Sequence, residues 1–223
     1  MIDIFFTFFE KPLNESFYSD YLALLPRDLK ESNSRYIRWQ DRHCHLFGKL
    51  LLIQALKTHN IVADIGTYVK YGAFKRPHLT LPDIDFNISH SGNFVMCAIG
   101  KNTRLGIDIE ENKNLDLKNF QNVMSSDQWV EINNATYPLK EFYKFWTIKE
   151  SVIKADGRGF SIPLEKLSVK DNTVQYDDKV WFVQELQIAN GYNAALATSR
   201  FSDYKIHKVD FYESMFVQEF CLR

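Results

Sequence analysis

The stretch Leu105-Gly106-Ile107-Asp108-Ile109-Glu110 decides how the middle of the chain folds. Apolar and acidic residues alternate along it, and successive side chains of a β-strand point to opposite faces of the sheet. It is therefore predicted to be a strand that turns Ile107 and Ile109 into a core and presents Asp108 and Glu110 on the other face. Two like charges side by side on a strand repel each other unless something offsets them.

A divalent cation would offset the charges of Asp108 and Glu110. Hard oxygen ligands, with no Cys or His in the same stretch, favour Mg²⁺ or Mn²⁺ over zinc. The alternative interpretation is a solvated strand end in which Glu110 and Glu111 are simply exposed. Both interpretations stay open on this stretch alone.

A helix is predicted from about Pro138 to Ala155, because its apolar spacing is helical and Asp156-Gly157-Arg158-Gly159 is a glycine-rich stop. Trp146, Glu150 and Lys154 lie four residues apart, so they form one stripe on that helix. The stripe is either an exposed ion pair or one wall of a cleft. In a cleft, Glu150 would add a third carboxylate and Lys154 would hold an anion beside the metal.

The segment Phe86-Asn-Ile-Ser-His-Ser-Gly92 contains groups that suit an anion: small hydroxyls, turn N–H groups and the imidazole of His90. Lys75-Arg76-Pro77 precedes it, and the planar fork of Arg76 is suited to phosphate. Each group alone is also typical of a polar surface. A looser set of basic residues lies earlier in the chain: Arg27, Lys30, Arg35, Arg38 and Arg42.

The order of elements predicts an α+β protein with two similar lobes, each a helix packed on a small antiparallel sheet, and a cleft between them. The chain would divide near residues 100–105, into an N-terminal lobe of residues 1–103 and a C-terminal lobe of residues 104–223. The predicted elements are an opening strand, helices over residues 14–25 and 35–58, strands from Asp85 to Ser89, Phe94 to Ile99 and Arg104 to Glu110, and a mostly β region from Ile162 to about Gln218.

Composition limits the class of protein. The 223 residues are 45% hydrophobic and carry a formal net charge of −1, which permits a core and argues against a general nucleic-acid binder. No apolar run is long enough to cross a bilayer, so no membrane association is expected. Cys44, Cys97 and Cys221 are scattered without CxxC spacing, which predicts neither a disulfide framework nor a zinc site and favours a reducing cytoplasm.

Three ordered motifs resemble those of the 4′-phosphopantetheinyl transferases of the surfactin-synthetase type. They are Phe86-Asn-Ile-Ser-His-Ser-Gly92, Gly106-Ile-Asp-Ile-Glu110, and Trp146-Thr-Ile-Lys-Glu-Ser-Val-Ile-Lys154 followed by Gly157-Arg-Gly159. The resemblance is diffuse but continuous from about Arg27 to Ser199. It implies two similar α+β halves with coenzyme A bound between them. It also implies transfer of phosphopantetheine from coenzyme A to a serine of a carrier protein, with release of adenosine 3′,5′-bisphosphate.

The resemblance assigns roles to individual residues. It implies that Asp108, Glu110 and Glu150 are metal ligands and that Lys154 contacts the transferring phosphate. Ser89 and His90 match positions that hold coenzyme A phosphates, Arg76 falls where the family has the lysine of a Gly-Lys-Pro motif, and Arg42 lies in an Asp-Arg-x-Arg pattern. Chemically, Mg²⁺, Lys154 and His90 would stabilise the charge that develops on the diphosphate. The catalytic residues expected are Asp108, Glu150 and Lys154.

Three positions depart from the family's pattern. Lys75-Arg76-Pro77 replaces Gly-Lys-Pro, so either Lys75 or Arg76 would meet the phosphate. Cys44 replaces the second basic residue of Asp-Arg-x-Arg. Gln128 stands where many relatives have a glutamate assigned as a base, which leaves Glu150 or a water as the expected proton acceptor.

Two other functions compete with an active transferase. One is an inactive relative that binds coenzyme A or a carrier protein without turnover. The other is a phosphate-binding or RNA-binding module that uses the basic helix at residues 35–49. The complete carboxylate trio argues against the first, and the lack of RNA-binding aromatic signatures argues against the second. Peptide-synthetase, polyketide and fatty-acid carriers all remain as substrates, and a monomer is expected because two lobes can build the whole site.

Overall fold

The computed structural model describes residues 1–61 and 65–212. The end of the predicted β region, residues 213–218, and Cys221 lie outside these residues. Within them, no helix combines the length and apolar character needed to pass through a membrane. The helices are α1 (Glu15–Ala23), α2 (Arg27–Ser34), α3 (Trp39–Thr58), α4 (Ile65–Tyr68), α5 (Ser126–Asn134) and α6 (Pro138–Asp156).

The strands form two main sheets and a small hairpin. They are β1 (Ile2–Phe8), β2 (Val69–Tyr71), β3 (Pro77–Leu79), β4 (Ile84–Ser91), β5 (Phe94–Lys101), β6 (Leu105–Glu111), β7 (Ser168–Lys170), β8 (Thr173–Tyr176), β9 (Lys179–Leu186), β10 (Tyr192–Thr198) and β11 (Tyr204–Lys208). The first sheet has the order β11-β1-β5-β4 and the second the order β6-β10-β9-β8-β7. The hairpin pairs β2 with β3.

In the first sheet, α3 packs across β5 and β1 because the apolar side of the helix meets alternate side chains of the strands. Phe47, Leu50 and Leu51 of α3 are buried with Val95 and Cys97 of β5. The strands β1, β5 and β4 pair antiparallel, whereas β11 pairs parallel with β1. The first sheet is therefore completed by a strand from the far end of the chain.

In the second sheet, all neighbouring strands pair antiparallel, and α6 packs on β6 and β10. Val152 and Ala155 of α6 are buried with Ala195 and Ala197 of β10. Small side chains at these positions let the helix lie close to the sheet. Both lobes therefore follow the same plan, a long helix on a sheet, and the α+β prediction of two similar lobes is confirmed.

The two sheets also share a core on their other faces. Ile2 and Ile4 of β1 are buried with Met96 of β5 and with Ile107 and Ile109 of β6. The prediction that Ile107 and Ile109 point into a core is confirmed. Because β6 has apolar side chains on this face, its Asp108 and Glu110 point the other way.

Most predicted elements are present, and the differences lie at their ends. The helix predicted over 35–58 begins at Trp39, and α2 over Arg27–Ser34 was not predicted. Residues 35–38 connect these two helices, so the periodic pattern was extended four residues too far. The strongest agreement is α6, which ends at Asp156 with Gly157 as its left-handed cap at φ +92. The predicted lobe boundary at residue 103 falls in the loop between β5 and β6, and the division itself stays a prediction.

Candidate active site

The candidate site lies where β4, β6 and the middle of α6 meet. The strands β4 and β6 are the neighbouring edges of the two sheets, and they face each other through side chains. We call this contact the inter-lobe seam. Alternate side chains of β4 accept hydrogen bonds from alternate main-chain N–H groups of β6. The pairs are Leu105 N to Asp85 Oδ2 (3.0 Å), Ile107 N to Asn87 Oδ1 (2.9 Å), Ile109 N to Ser89 Oγ (3.4 Å) and Glu111 N to Ser91 Oγ (3.1 Å).

This ladder has a chemical reason. An edge strand presents unpaired N–H groups, and a buried N–H group without a partner costs free energy. Short polar side chains every second residue on β4 supply those partners in the period-2 register of a strand. The ladder therefore fixes the position of β6 relative to β4, residue by residue.

Two rungs of the ladder also hold the carboxylates. Ser89 Oγ donates to Asp108 Oδ1 at 3.0 Å, and Ser91 Oγ donates to Glu110 Oε2 at 2.7 Å. Asp108 is buried, with only 2% of its surface exposed. Each serine thus accepts from the main chain of β6 and orients an acidic side chain of the same strand.

The helix α6 lies unusually close to β6. A Cβ built on Gly106 would stand 2.1 Å from the Ser151 carbonyl oxygen and 2.4 Å from the Ala155 nitrogen. Only glycine allows this approach, which brings Glu150 and Lys154 over Asp108. Lys154 Nζ donates to Asp108 Oδ1 and, at 3.0 Å, to Ser89 Oγ. The Glu150 and Lys154 stripe is therefore not an exposed ion pair, because Glu150 is buried and Lys154 pairs with Asp108.

Burial shapes the charges of the three carboxylates. It raises the pKa of Glu150 to about 7, with the charges of Asp108 and Glu110 adding to the rise and Lys154 opposing it. Burial also raises the pKa of Asp108, against the nearby Lys154. The pKa of Glu110 rises for the same reason, while a hydrogen bond from Ser91 opposes the change. The three carboxylates therefore influence one another's charge.

Two carboxylate oxygens in this cluster lack a hydrogen-bond partner. Asp108 Oδ2 and Glu150 Oε1 are buried and have no hydrogen-bond partner. Buried acceptors of this kind are rare, because leaving one unpaired costs free energy. Unpaired carboxylate oxygens fit a hard cation such as Mg²⁺. Nevertheless, within residues 1–61 and 65–212 no three acidic, His or Cys side chains are arranged to hold a metal as they stand, and Lys154 already bonds to Asp108.

The predicted phosphate contacts are spread around this cluster. His90 is exposed at the end of β4, and its pKa is lowered by the surrounding protein and by Lys154. Its charge is also coupled to Asp41 and to His45, so the polar side of α3 faces it. Ser89 is buried beneath it. These polar groups therefore lie beside the carboxylate cluster.

The basic residues predicted to bind coenzyme A occupy different settings. Lys75 is exposed, with a left-handed φ of 60. Arg42 is half-buried, and its Nε donates to the Tyr36 carbonyl oxygen at 2.8 Å. The Arg76 side chain is 9% exposed and is paired with Asp85, so it is turned into the seam rather than toward the cleft surface.

Gln128 has a structural role. Its side chain accepts from Ser125 N at 3.0 Å and donates to the Leu167 carbonyl oxygen, and Ser125 Oγ accepts from Gln128 N to complete a capping box at the start of α5. Asp127, the next acidic side chain, is exposed. Neither side chain is placed like the buried Glu150.

Sequence reasoning missed several residues of the site. Ser91 was predicted only as one of the hydroxyls suited to an anion, and Asn87 was given no role. Their alternation with Ser89 matches that of Asp108 and Glu110 and is a readable signal of the seam. Lys149 was also missed. It is fully buried and donates to the carbonyl oxygens of Val123 and Leu164, both at 2.8 Å, and burial lowers its pKa to about 7.

The chain is similar in sequence to known 4′-phosphopantetheinyl transferases. The sequence model of the 4′-phosphopantetheinyl transferase superfamily matches residues 104–197. The 4′-phosphopantetheinyl transferase Sfp of Bacillus subtilis (strain 168) is 28% identical over 170 residues, 75% of each chain. The 4′-phosphopantetheinyl transferase gsp of Aneurinibacillus migulanus is 28% identical over 177 residues, 78% of this chain and 74% of the relative. The ffp relative from Bacillus subtilis is 25% identical over 207 residues, 88% and 92% of the two chains.

The fold and the site define a two-lobed α+β enzyme whose buried carboxylates and lysine meet between two sheets. By these matches the chain is similar to the 4′-phosphopantetheinyl transferases, over residues 104–197 to the model of the superfamily and over about three quarters of its length to enzymes of the type that Sfp represents.

Proposed function

We propose that this protein transfers the 4′-phosphopantetheine group of coenzyme A to a serine of an acyl or peptidyl carrier protein, releasing adenosine 3′,5′-bisphosphate. The observation that carries the proposal is the pair of unpaired buried oxygens, Asp108 Oδ2 and Glu150 Oε1, beside the ammonium of Lys154. Such a cluster is costly without a ligand, which supports a binding site for a cation and a phosphate group.

Asp108, Glu110 and Glu150 would hold a divalent cation, Mg²⁺ with Mn²⁺ as the alternative, and the ion would neutralise charge on the diphosphate. The protein's own residues supply the rest. Lys154 bonds to Asp108, and on substrate binding its ammonium would turn to the transferring phosphate. His90 and Ser89 would contact the coenzyme A phosphates at the cleft, with Lys75 and Arg42 as further basic contacts.

The reaction balances as a single displacement. The serine oxygen forms a bond to the phosphorus that carries pantetheine, and the bond from that phosphorus to the bridging oxygen breaks. The electron pair of that bond leaves with adenosine 3′,5′-bisphosphate. The serine proton passes to Glu150 or to a water, because Gln128 cannot accept it and is already used in a capping box. Lys154 and His90 stabilise the charge on the phosphate oxygens during the step.

Intact-mass measurement tests the function directly. Apo carrier proteins of the peptide-synthetase, polyketide and fatty-acid types are incubated with the protein, coenzyme A and Mg²⁺. At least one is expected to gain the mass of one phosphopantetheine group, and the gain is expected to vanish with EDTA or without coenzyme A. The functional proposal is wrong if no carrier gains mass. Coenzyme A binding without any mass gain would instead support the inactive-relative alternative.

Lys154→Ala tests how the cleft uses its ammonium. We expect the change to lower kcat more than it weakens coenzyme A binding, because the charge of Lys154 matters most at the transferring phosphate. Steady-state kinetics and calorimetric titration with coenzyme A measure the two effects. A variant with weaker binding and unchanged kcat would contradict this role.

The remaining expectations extend the proposal. We expect a monomer that acts on carrier proteins and on neither nucleic acid nor membranes. Cys44 and Cys97 are free and buried, which agrees with the expectation of a reducing, cytoplasmic location. Light scattering and fractionation of cells would test these two points.

A further inference from the structure

Arg76 connects three elements that belong to both lobes. Its Nη1 and Nη2 donate to the two carboxylate oxygens of Asp85 at 3.0 and 2.8 Å, and Asp85 lies on β4. Nη2 also donates to the Leu105 carbonyl oxygen of β6 at 2.9 Å. Nε donates to the Lys154 carbonyl oxygen of α6 at 2.7 Å. Every nitrogen of the guanidinium is therefore bonded inside the protein.

The acceptor Asp85 is equally committed. Asp85 is buried, and its Oδ2 also accepts from Leu105 N as the first rung of the ladder in the inter-lobe seam. Arg104 adds a second, looser charge at 3.8 Å. If Arg76 swung out to meet a phosphate, Asp85 would lose its bidentate partner while still buried, which is unfavourable.

The end of α6 is shaped around this side chain. Gly157 has a φ of +92, and a Cβ built there would stand 2.9 Å from Arg76 Cδ. Glycine is therefore required by the left-handed cap, and its missing side chain also leaves room for Arg76. Lys154 sits in the last turn before this cap, with its carbonyl oxygen held by Arg76 and its ammonium aimed at Asp108 and Ser89.

We propose that Arg76 is a positioning residue that holds the last turn of α6, and with it Lys154, against both sheets, and that it does not bind coenzyme A. The inference rests on the proposed function and revises the expected phosphate contact at this position. A lysine cannot take the same role, because its ammonium is a single point, whereas the planar fork of arginine reaches separate acceptors in fixed directions. With arginine in place of the lysine of Gly-Lys-Pro, the side chain at this position connects the two lobes through several hydrogen bonds.

The test compares Arg76→Lys and Asp85→Asn with the wild-type enzyme. Three quantities are measured: kcat, the calorimetric Kd for coenzyme A, and the rate at which a lysine-acylating reagent modifies Lys154, read by peptide mass mapping. In both variants the ammonium of Lys154 would no longer be held in position for the transferring phosphate. We expect kcat to fall about 10- to 100-fold and Kd to change less than about threefold. Labelling of Lys154 is expected to become faster, because its ammonium is no longer held at Asp108.

Controls separate the competing explanations. Lys170→Met removes an exposed charge elsewhere and is expected to leave all three quantities unchanged. A Kd raised tenfold or more with unchanged kcat in Arg76→Lys would overturn the proposal in favour of phosphate binding. A lower unfolding temperature with unchanged kcat and labelling would overturn it in favour of a purely structural bond.

The design also separates this inference from the function itself. If the wild-type protein modifies no carrier, the proposed function fails, and the labelling and Kd measurements still decide the role of Arg76. Faster labelling of Lys154 at unchanged Kd would then support the positioning role. Unchanged labelling in both variants would refute it whatever the activity of the wild type.

Discussion

Two buried charged clusters lie along the same pair of strands, and they are completed in opposite ways. The Arg76 cluster consists of Arg76, Asp85 and the carbonyl groups to which Arg76 donates. It sits at the first rung of the ladder, and each guanidinium nitrogen has a partner. The carboxylate cluster of Asp108, Glu110 and Glu150 sits near the last rungs, and two of its oxygens have none.

The difference shows how a buried charge can serve structure or chemistry. A fully paired cluster is rigid and has no capacity left for a ligand. An incompletely paired cluster keeps acceptors available and raises the pKa of its carboxylates, which is typical of functional sites. The predictions below perturb one cluster at a time, in order of decreasing expected effect.

Asp108→Ala and Glu150→Ala are expected to reduce transfer by at least about 10²–10³-fold, because each removes one carboxylate that would bind the proposed cation. The fold should persist, since removing one of several neighbouring carboxylates relieves repulsion. Carrier modification and circular dichroism measure the two properties. Asp178→Ala, at an exposed position, is the matched control, and near-normal activity of either site variant would refute the ligand assignment.

Arg76→Met is expected to lower the free energy of unfolding by about 3–5 kcal/mol, because it removes the bidentate partner of the buried Asp85 and leaves that charge with only the Leu105 N–H and the looser Arg104. Urea unfolding measures the loss. The double variant Arg76→Met with Asp85→Asn should recover a large part of it, since the stranded charge is gone while Leu105 N keeps an acceptor. A double variant that is no more stable than Arg76→Met would contradict this account.

Stability should depend on pH through Glu150. Its pKa is about 7 in the folded protein and 4.5 in the unfolded chain, so the folded state binds more protons between these values. The contribution of Glu150 to the free energy of unfolding is therefore fully present below pH 4.5. It is lost as the pH rises toward 7, which lowers the free energy of unfolding by up to about 3 kcal/mol. Urea unfolding in metal-free buffer measures this slope.

Glu150→Gln is the control for the pH slope, because it keeps the shape of the side chain without the titration. It should flatten the slope, and Mg²⁺ added to the wild type should offset the loss at neutral pH. An equal slope in Glu150→Gln and wild type would show that another group is responsible.

The smallest effect is expected at two rungs of the ladder. Ser91→Ala should cost about 1 kcal/mol of stability and also lower activity, since Ser91 orients Glu110 as well as capping Glu111 N. The Asn87 side chain accepts only from Ile107 N, so Asn87→Ala should lower stability and leave kcat nearly unchanged. Urea unfolding and steady-state kinetics of the two variants measure these effects. Equal kinetic effects in both variants would mean that Ser91 does not act through Glu110.

Much of this fold is readable locally. The alternation in Leu105–Glu110 assigns a strand with an apolar and an acidic face, and the helical spacing before Asp156 assigns α6 and its stop. These predictions work because one face of each element is buried, so apolar residues recur along the sequence with the period of that element. The boundary near residue 35 was less readable, because no glycine or proline separates the two helices and the exposed Ile37 fits the helical apolar spacing.

By itself, the sequence determined the elements, the carboxylate pair on one strand, the stripe on α6 and the family motifs that join them. The tertiary structure alone decided which charges are satisfied. Whether Arg76 meets a phosphate or Asp85, and which groups the Gln128 side chain bonds to, depends on partners brought from distant positions in the chain. Side-chain type specifies how many hydrogen bonds a group can make, but only packing determines which atoms stand within reach and which are left unpaired.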